Sequence, residues 1–251
     1  MFYYNIDAFG VMLMKVLRII LAVFVSLSCA MTAAEAQAPQ CAIPPALKAP
    51  RSENPPPGSQ RILPISGFVL ALSWSPQFCK TRGKDDKFNS QCEAETPFGF
   101  ILHGLWPDAE GQGEPRWCRK VPALSKALVR QNFCSTPSPQ LQQREWAKHG
   151  SCITRDPAAY FASATRLFTS IKAPDMNALS RSPLDVRGFT AAFVAANPGL
   201  PASSVRLDLS DIGWLEEVRI CYGTDYRPRA CPRDIGGAGD GARVRIWRTA
   251  R

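Results

Sequence analysis

PFGFILHGLW, residues 97–106, sets Phe98, Phe100 and Leu102 on one side of an extended chain and Gly99, Ile101 and His103 on the other. A period of two predicts a strand packed on a core through its Phe face, with His103 pointing away from that face. GFVLALSW (67–74) is a short, nearly continuous apolar run suited to a buried strand, and WLEEVRICY and ARVRIW read as further strands late in the chain. Between them lie helices. DPAAYFASATRLFTSIK offers Asp156 as N-cap, Pro157 at N1 and a stripe of Tyr160, Phe161, Ala164, Leu167, Phe168 and Ile171. LDVRGFTAAFVAAN is a second, weaker helix. Segregated strands and helices predict an α+β fold. IGGAGDGARV resembles a phosphate loop only in its glycines, since it precedes a strand pattern rather than a helix, so a loop or hairpin is expected there.

The ends of the chain read differently. In MKVLRIILAVFVSLSCAMTAAEAQ, Lys15 and Arg18 precede the apolar run Ile19–Leu27 and the small-residue site Ala34-Glu35-Ala36. That is the order of a cleaved secretory signal over residues 1–36. Met14 makes the more normal start, so residues 1–13 read as a start-site artefact or a long leading region. Small residues do not precede Cys29 in the order usual for a lipidated cysteine, and the apolar run is short for a span, so no membrane anchor is expected. Residues 37–65 are proline-rich and should form an extended leader, with one catalytic domain over 66–251.

Export decides how the cysteines are read. Of nine, Cys29 leaves with the signal, and eight remain in an oxidising compartment, the arithmetic of four disulfides. Proximity suggests Cys79 with Cys92 and Cys221 with Cys231. The absence of any CxxC pair argues against zinc. The formal charge of +9 survives signal removal, because Lys15 and Arg18 are balanced by Asp7 and Glu35. Such an excess suits a polyanionic partner: nucleic acid, acidic glycan or membrane surface.

The whole chain has two histidines, and the second sits in REWAKHGSC, residues 144–152. Ser138 as N-cap and Pro139 at N1 predict a helix over 139–149, stopped by Gly150 in a left-handed conformation. Helical spacing would bring Arg144, Glu145, Lys148 and His149 within reach of one another, with Leu141 and Trp146 as anchorage. A solvated face of ion pairs is the ordinary reading of such a helix. Two histidines, a lysine and a carboxylate are also what RNA transesterification requires. One neutral imidazole takes the 2′-hydroxyl proton, a protonated one gives a proton to the departing 5′-oxygen, and cations stabilise charge on the phosphate. No metal is needed for that chemistry, and no cofactor is expected.

These two segments resemble the HGLWP and HEWxKHGxC motifs of the RNase T2 family of secreted ribonucleases. ILHGLWPD (101–108) matches the first completely, and REWAKHGSC departs from the second only at Arg144, where the family has histidine. LALSWSPQFC before and VRICYGTDYRPRACP after extend the resemblance over most of residues 66–232. It implies a central antiparallel sheet flanked by helices and stabilised by disulfides. It implies an endoribonuclease that cuts single-stranded RNA through a 2′,3′-cyclic phosphate to 3′-phosphates. His103 and His149 match the acid–base pair, with His149 favoured as base and His103 as acid. Glu145 and Lys148 match residues that bind or polarise the phosphate, while Trp106 and Asp108 match positions that contact a base, Trp by stacking and Asp by hydrogen bonding. Cys118 and Cys152 match a disulfide between the two segments, which leaves Cys41 and Cys134 with their pairing open. Arg144 forks onto phosphate oxygens and should fill the place of the missing histidine. Leu141 replaces an aromatic residue often found there, which puts base preference in doubt. A monomer in the periplasm, or fully secreted, completes the expectation.

Overall fold

A computed structural model describes residues 41–82, 89–93 and 97–248; the signal segment and Cys29 lie outside the described residues. Four strands form one antiparallel sheet in the order β2-β1-β4-β3, with β1 at Gly67–Trp74, β2 at Phe100–Asp108, β3 at Val205–Leu209 and β4 at Leu215–Gly223. The helices are α1 (Ser75–Arg82), α2 (Asn89–Cys92), α3 (Lys126–Gln131), α4 (Pro139–Glu145), α5 (Ser151–Ile153), α6 (Pro157–Ser170), α7 (Met176–Leu179) and α8 (Val186–Ala196). The class is α+β.

Strand alternation gives the sheet two unlike faces. Phe68, Leu70 and Leu72 of β1, Val218 and Ile220 of β4 and Leu207 of β3 are buried in the main core. The amphipathic helix α6 covers this face with Tyr160, Phe161, Ala164, Leu167 and Phe168, all buried. Asp156 caps it by accepting a hydrogen bond from the Ala158 amide at 2.9 Å. The opposite face carries the intervening residues, among them Ser73, Glu217 and Arg219, with Ser73 paired in register to Glu217. It is the polar face that receives the candidate site.

The simple alternation of β2 breaks at one point. Ala71 pairs with Gly104 and Leu72 with Leu102, so His103 is the extra residue of a β-bulge. The bulge returns Leu105 to the core beside Leu102 and leaves Gly104 facing the polar side, against Trp106 and Glu145. ARVRIW forms no strand. Val244 and Ile246 are buried between exposed arginines as its alternation demands, yet the segment bridges Asp185 at Arg243 and Trp214 at Arg245, two different neighbours, so no ladder develops. The glycine-rich segment before it is loop.

The cysteines form Cys41–Cys134, Cys79–Cys92, Cys118–Cys152 and Cys221–Cys231. Cys41–Cys134 ties the proline-rich leader to the segment before α4. Arg51 adds a reciprocal pair, its amide donating to Gln140 Oε1 and its carbonyl accepting from Gln140 Nε2, each at 3.0 Å. Further on, Arg61 and Arg116 exchange backbone hydrogen bonds at 2.9 Å. The leader therefore lies along the domain as a strap.

Candidate active site

The second motif departs most from its expected form. Helix α4 begins as predicted, with Ser138 Oγ accepting from the Leu141 amide and Pro139 in the first turn. It does not stop at Gly150. Residues Trp146–Gly150 form a turn of π-helix, in which the Ser151 amide reaches back five residues to the Trp146 carbonyl, and the chain continues into α5. Gly150 has right-handed φ −58° rather than the left-handed stop. Its reason for being glycine is space, since a Cβ there would lie 2.5 Å from the Trp146 ring and 2.9 Å from Tyr160.

Nor is the helix a solvated face of ion pairs. Gln142, Gln143, Glu145, Trp146 and His149 are all buried. Gln143 Oε1 accepts from the Leu124 amide at 2.7 Å, and Gln142 Nε2 donates to the Val129 and Thr136 carbonyls at 3.1 and 2.9 Å. Glutamines thus anchor the helix where an apolar stripe is lacking, because buried polar groups are stable only when paired. The four charged heads diverge. Lys148 Nζ pairs with Glu114 at 3.0 Å, where Arg116 also arrives at 3.4 Å. Arg144 points into solvent, with no ion pair among the described residues.

Glu145 turns inward, 4% exposed, and sits between the two histidines. Its Oε1 lies 3.7 Å from His103 Nε2 and its Oε2 lies 3.9 Å from His149 Nε2. Trp106 Nε1 donates to the same Oε2 at 2.8 Å. The Trp106 ring stacks on His149 at 5.4 Å and meets His103 edge-on at 5.3 Å, and Arg219 lies over it at 5.5 Å. Trp106 is thus built into the site, with partners on its ring and its nitrogen. Asp108 is buried and held by Arg229 Nη2 at 2.8 Å. It nevertheless lines a cavity of about 290 Å³ together with Trp106, Glu114 and Arg219. The two segments are fastened by Cys118–Cys152, while the Trp117 amide donates to the Lys148 carbonyl at 2.7 Å. Trp117 adopts a left-handed φ of 56° to do so, strain stored beside the site.

Sequence reasoning missed the partner of His103. Nδ1 of His103 lies 2.5 Å from Glu217 Oε1, which also accepts from Ser73 Oγ at 3.2 Å. Arg219 steadies Glu217 Oε2 at 2.9 Å and reaches Asp208 at 2.6 Å. Glu217 and Arg219 sit at alternate positions between Val218 and Ile220, a pattern that marks a polar strand face; what it faces is 114 residues away and invisible in the pattern.

These surroundings drive the two histidines apart. Burial opposes charge on His103, but the hydrogen bond to Glu217 and the fields of Glu145 and Glu217 outweigh it and raise its pKa. His149 is 1% exposed, and burial, with Lys148, His103, Arg144 and Arg116 adding repulsion, holds it well below its usual value. Burial raises the pKa of Glu145 against the pull of His103 and Trp106. Glu217, despite burial, is drawn down to about 2 by His103 and Arg219. His103 therefore holds a proton more strongly than a free imidazole and His149 less strongly, either side of a single carboxylate. Such a site can accept a proton at one imidazole and deliver one from the other.

An antiparallel sheet with a helix-covered apolar face, and a polar face on which two histidines flank one buried carboxylate, defines an α+β protein. The Ribonuclease T2 family profile matches residues 65–182 of the chain. A probable ribonuclease of Haemophilus influenzae is 38% identical over 138 residues, covering 51% of this chain and 50% of the relative. Ribonuclease I of Escherichia coli is 32% identical over 144 residues, 42% of this chain and 53% of the relative. The chain thus spans about half the length of these curated relatives. An RNase-related protein from Calystegia sepium shares the fold at a TM-score of 0.58 and 19% identity, over 73% of this chain and 97% of that one.

Proposed function

We propose that this protein is an exported endoribonuclease that cleaves single-stranded RNA by transesterification through a 2′,3′-cyclic phosphate, leaving 3′-phosphates. The observation that carries the reading is the placement of His103 and His149 on either side of the Glu145 carboxylate, at 3.7 and 3.9 Å, in surroundings that raise the pKa of the first and lower that of the second. Neutral His149 accepts the 2′-hydroxyl proton as that oxygen bonds to phosphorus. Protonated His103, 32% exposed at its side chain, gives its proton to the 5′-oxygen as the P–O5′ bond breaks. Water then opens the cyclic phosphate with the two roles reversed. Glu145 lies close enough to stabilise whichever imidazole carries charge.

Lys148 and Arg116 meet on the carboxylate of Glu114, an anion site beside His149 that a phosphate oxygen would enter by competing with Glu114. Arg144, exposed and unpaired among the described residues, is free to add a fork of donors. The cavity lined by Trp106, Asp108, Glu114 and Arg219 suits a base flanking the cut, with Trp106 shaping its wall. The signal-like segment and the disulfides support export to the periplasm or beyond; among the described residues no helix is long and apolar enough to cross a membrane.

The test is to incubate the oxidised chain, residues 37–251, with single-stranded RNA and matching DNA in EDTA and to analyse the ends. Fragments ending in 2′,3′-cyclic phosphate with DNA intact are expected. Intact RNA from acid to neutral pH, or cleavage of both polymers, would overturn the reading.

A further inference from the structure

A wide cleft among the described residues lies outside the histidine site. It encloses about 850 Å³ between the segment from Asn177 to Leu184 and the segment from Arg243 to Arg248, with Trp214 on one wall. Its lining holds Arg181, Arg243, Arg245 and Arg248 and no carboxylate. All four arginines are exposed, and none makes an ion pair among the described residues. Trp214 and Trp247 meet edge to face at 5.2 Å; Arg245 lies over the Trp214 ring at 4.2 Å and Lys80 over Trp247 at 4.5 Å. Concentrated positive charge with no carboxylate among the lining residues, threaded with large partly exposed rings, is the chemistry that grips phosphates while bases stack.

The cleft also has a fixed relation to the polar sheet face. Trp214 immediately precedes β4, and Glu217, the partner of His103, follows three residues later, about 10 Å along a strand. Trp247 is held from the other side, because Trp74 Nε1 donates to its carbonyl at 2.8 Å, and Trp74 adjoins Ser73, whose hydroxyl touches Glu217.

We infer that this arginine–tryptophan cleft is a second binding site for single-stranded RNA, holding a stretch of strand away from the bond being cut. This rests on the proposed ribonuclease activity for its purpose but not for its measurement. A sulfated glycan would use the arginines equally, but the paired rings beside a site suited to RNA favour the nucleic acid.

Binding is read by fluorescence anisotropy with a 2′-O-methyl oligoribonucleotide of about 12 nucleotides, which lacks the attacking hydroxyl, on the full oxidised chain and on Arg243→Ala/Arg245→Ala/Arg248→Ala. Those side chains are exposed, and thermal unfolding verifies the variant's fold. At single-strand values of about 0.7 per contact, removing three phosphate contacts should lower the slope of log affinity against log salt by about 2 and weaken binding at least tenfold. KM for long RNA should rise while cleavage of a dinucleoside monophosphate stays unchanged. Unaltered affinity and slope would overturn the cleft, as would loss of heparin binding with RNA binding intact, which would assign it to a glycan. Binding that depends on the arginines without any RNA cleavage would leave the cleft standing and remove the ribonuclease reading; normal cleavage with no arginine dependence would do the reverse.

Discussion

Replacing Glu217 by Gln keeps the shape of its side chain and removes its charge, and so isolates what the carboxylate does for His103. Glu217, drawn down to about 2, is ionised throughout the working range, so the hydrogen bond at 2.5 Å is made to a permanent anion. A hydrogen bond to a charged group contributes about 1.5–3 kcal/mol, and it is stronger from the protonated imidazole than from the neutral one, so the bond and the field of the carboxylate together favour the protonated form. The sign follows directly. A raised pKa means that His103 keeps its proton as pH rises, so losing Glu217 lets the proton leave earlier and pulls the alkaline limb of kcat/KM toward acid. Above neutrality the loss should be about 10–100-fold, whereas at acid pH, where His103 is protonated in both proteins, it should be small. The assay is kcat/KM on a dinucleoside monophosphate from pH 4 to 9, with Glu216→Gln, an exposed neighbour, as control. An equal fall at every pH with the alkaline limb in place would show that Glu217 shapes the site without holding the proton. No fall at all would remove it from the mechanism.

His103→Ala and His149→Ala should each lower kcat by about 10²–10⁴-fold with the fold retained, and wild-type turnover by either refutes the acid–base pair. Gly104→Ala should abolish turnover and destabilise by about 1–3 kcal/mol, because its Cβ would sit 2.7 Å from Trp106 Nε1 and against the Glu145 carboxylate; an active, normally stable variant contradicts the packing. Cys118→Ser opens a loop closed across 34 residues and should cost about 3–4 kcal/mol, read as a lower Tm. Acid should destabilise through His149: the unfolded chain takes up a proton near pH 6.5 and the folded one resists, so stability falls at up to about 1.4 kcal/mol per pH unit below that point. Thermal unfolding between pH 7 and 5 should show this slope reduced in His149→Asn. Arg144→His should retain activity, and a folded, inactive variant would give the guanidinium a larger part than gripping phosphate.

The sequence carried the strand at 67–74, the capped helix at 157–170 and the two histidine segments, because each is written in local signals: apolar runs, a cap with proline, and rare residues at fixed spacing. It could not carry the bulge at His103, which depends on pairing with a strand some thirty residues away. The π turn escaped for a related reason, since Glu145 and His149 are spaced for an α-helix and only the surroundings favour the wider coil. Buried Gln142 and Gln143 read as surface polarity until their backbone partners are seen. Glu217 escaped because a charge in a strand says which face is polar and nothing about what lies across it.

The wide turn at 146–150 also limits transplantation. Anyone grafting Glu145 through His149 onto an ordinary helix of another scaffold would tighten the coil and swing the imidazole around the axis, away from Trp106 and the carboxylate it now flanks. A one-residue deletion within the turn would do the same in the native protein. The spacing of the motif is therefore portable only together with its loosened backbone, and a copied sequence on an idealised helix would carry His149 in the wrong rotational phase relative to Glu145.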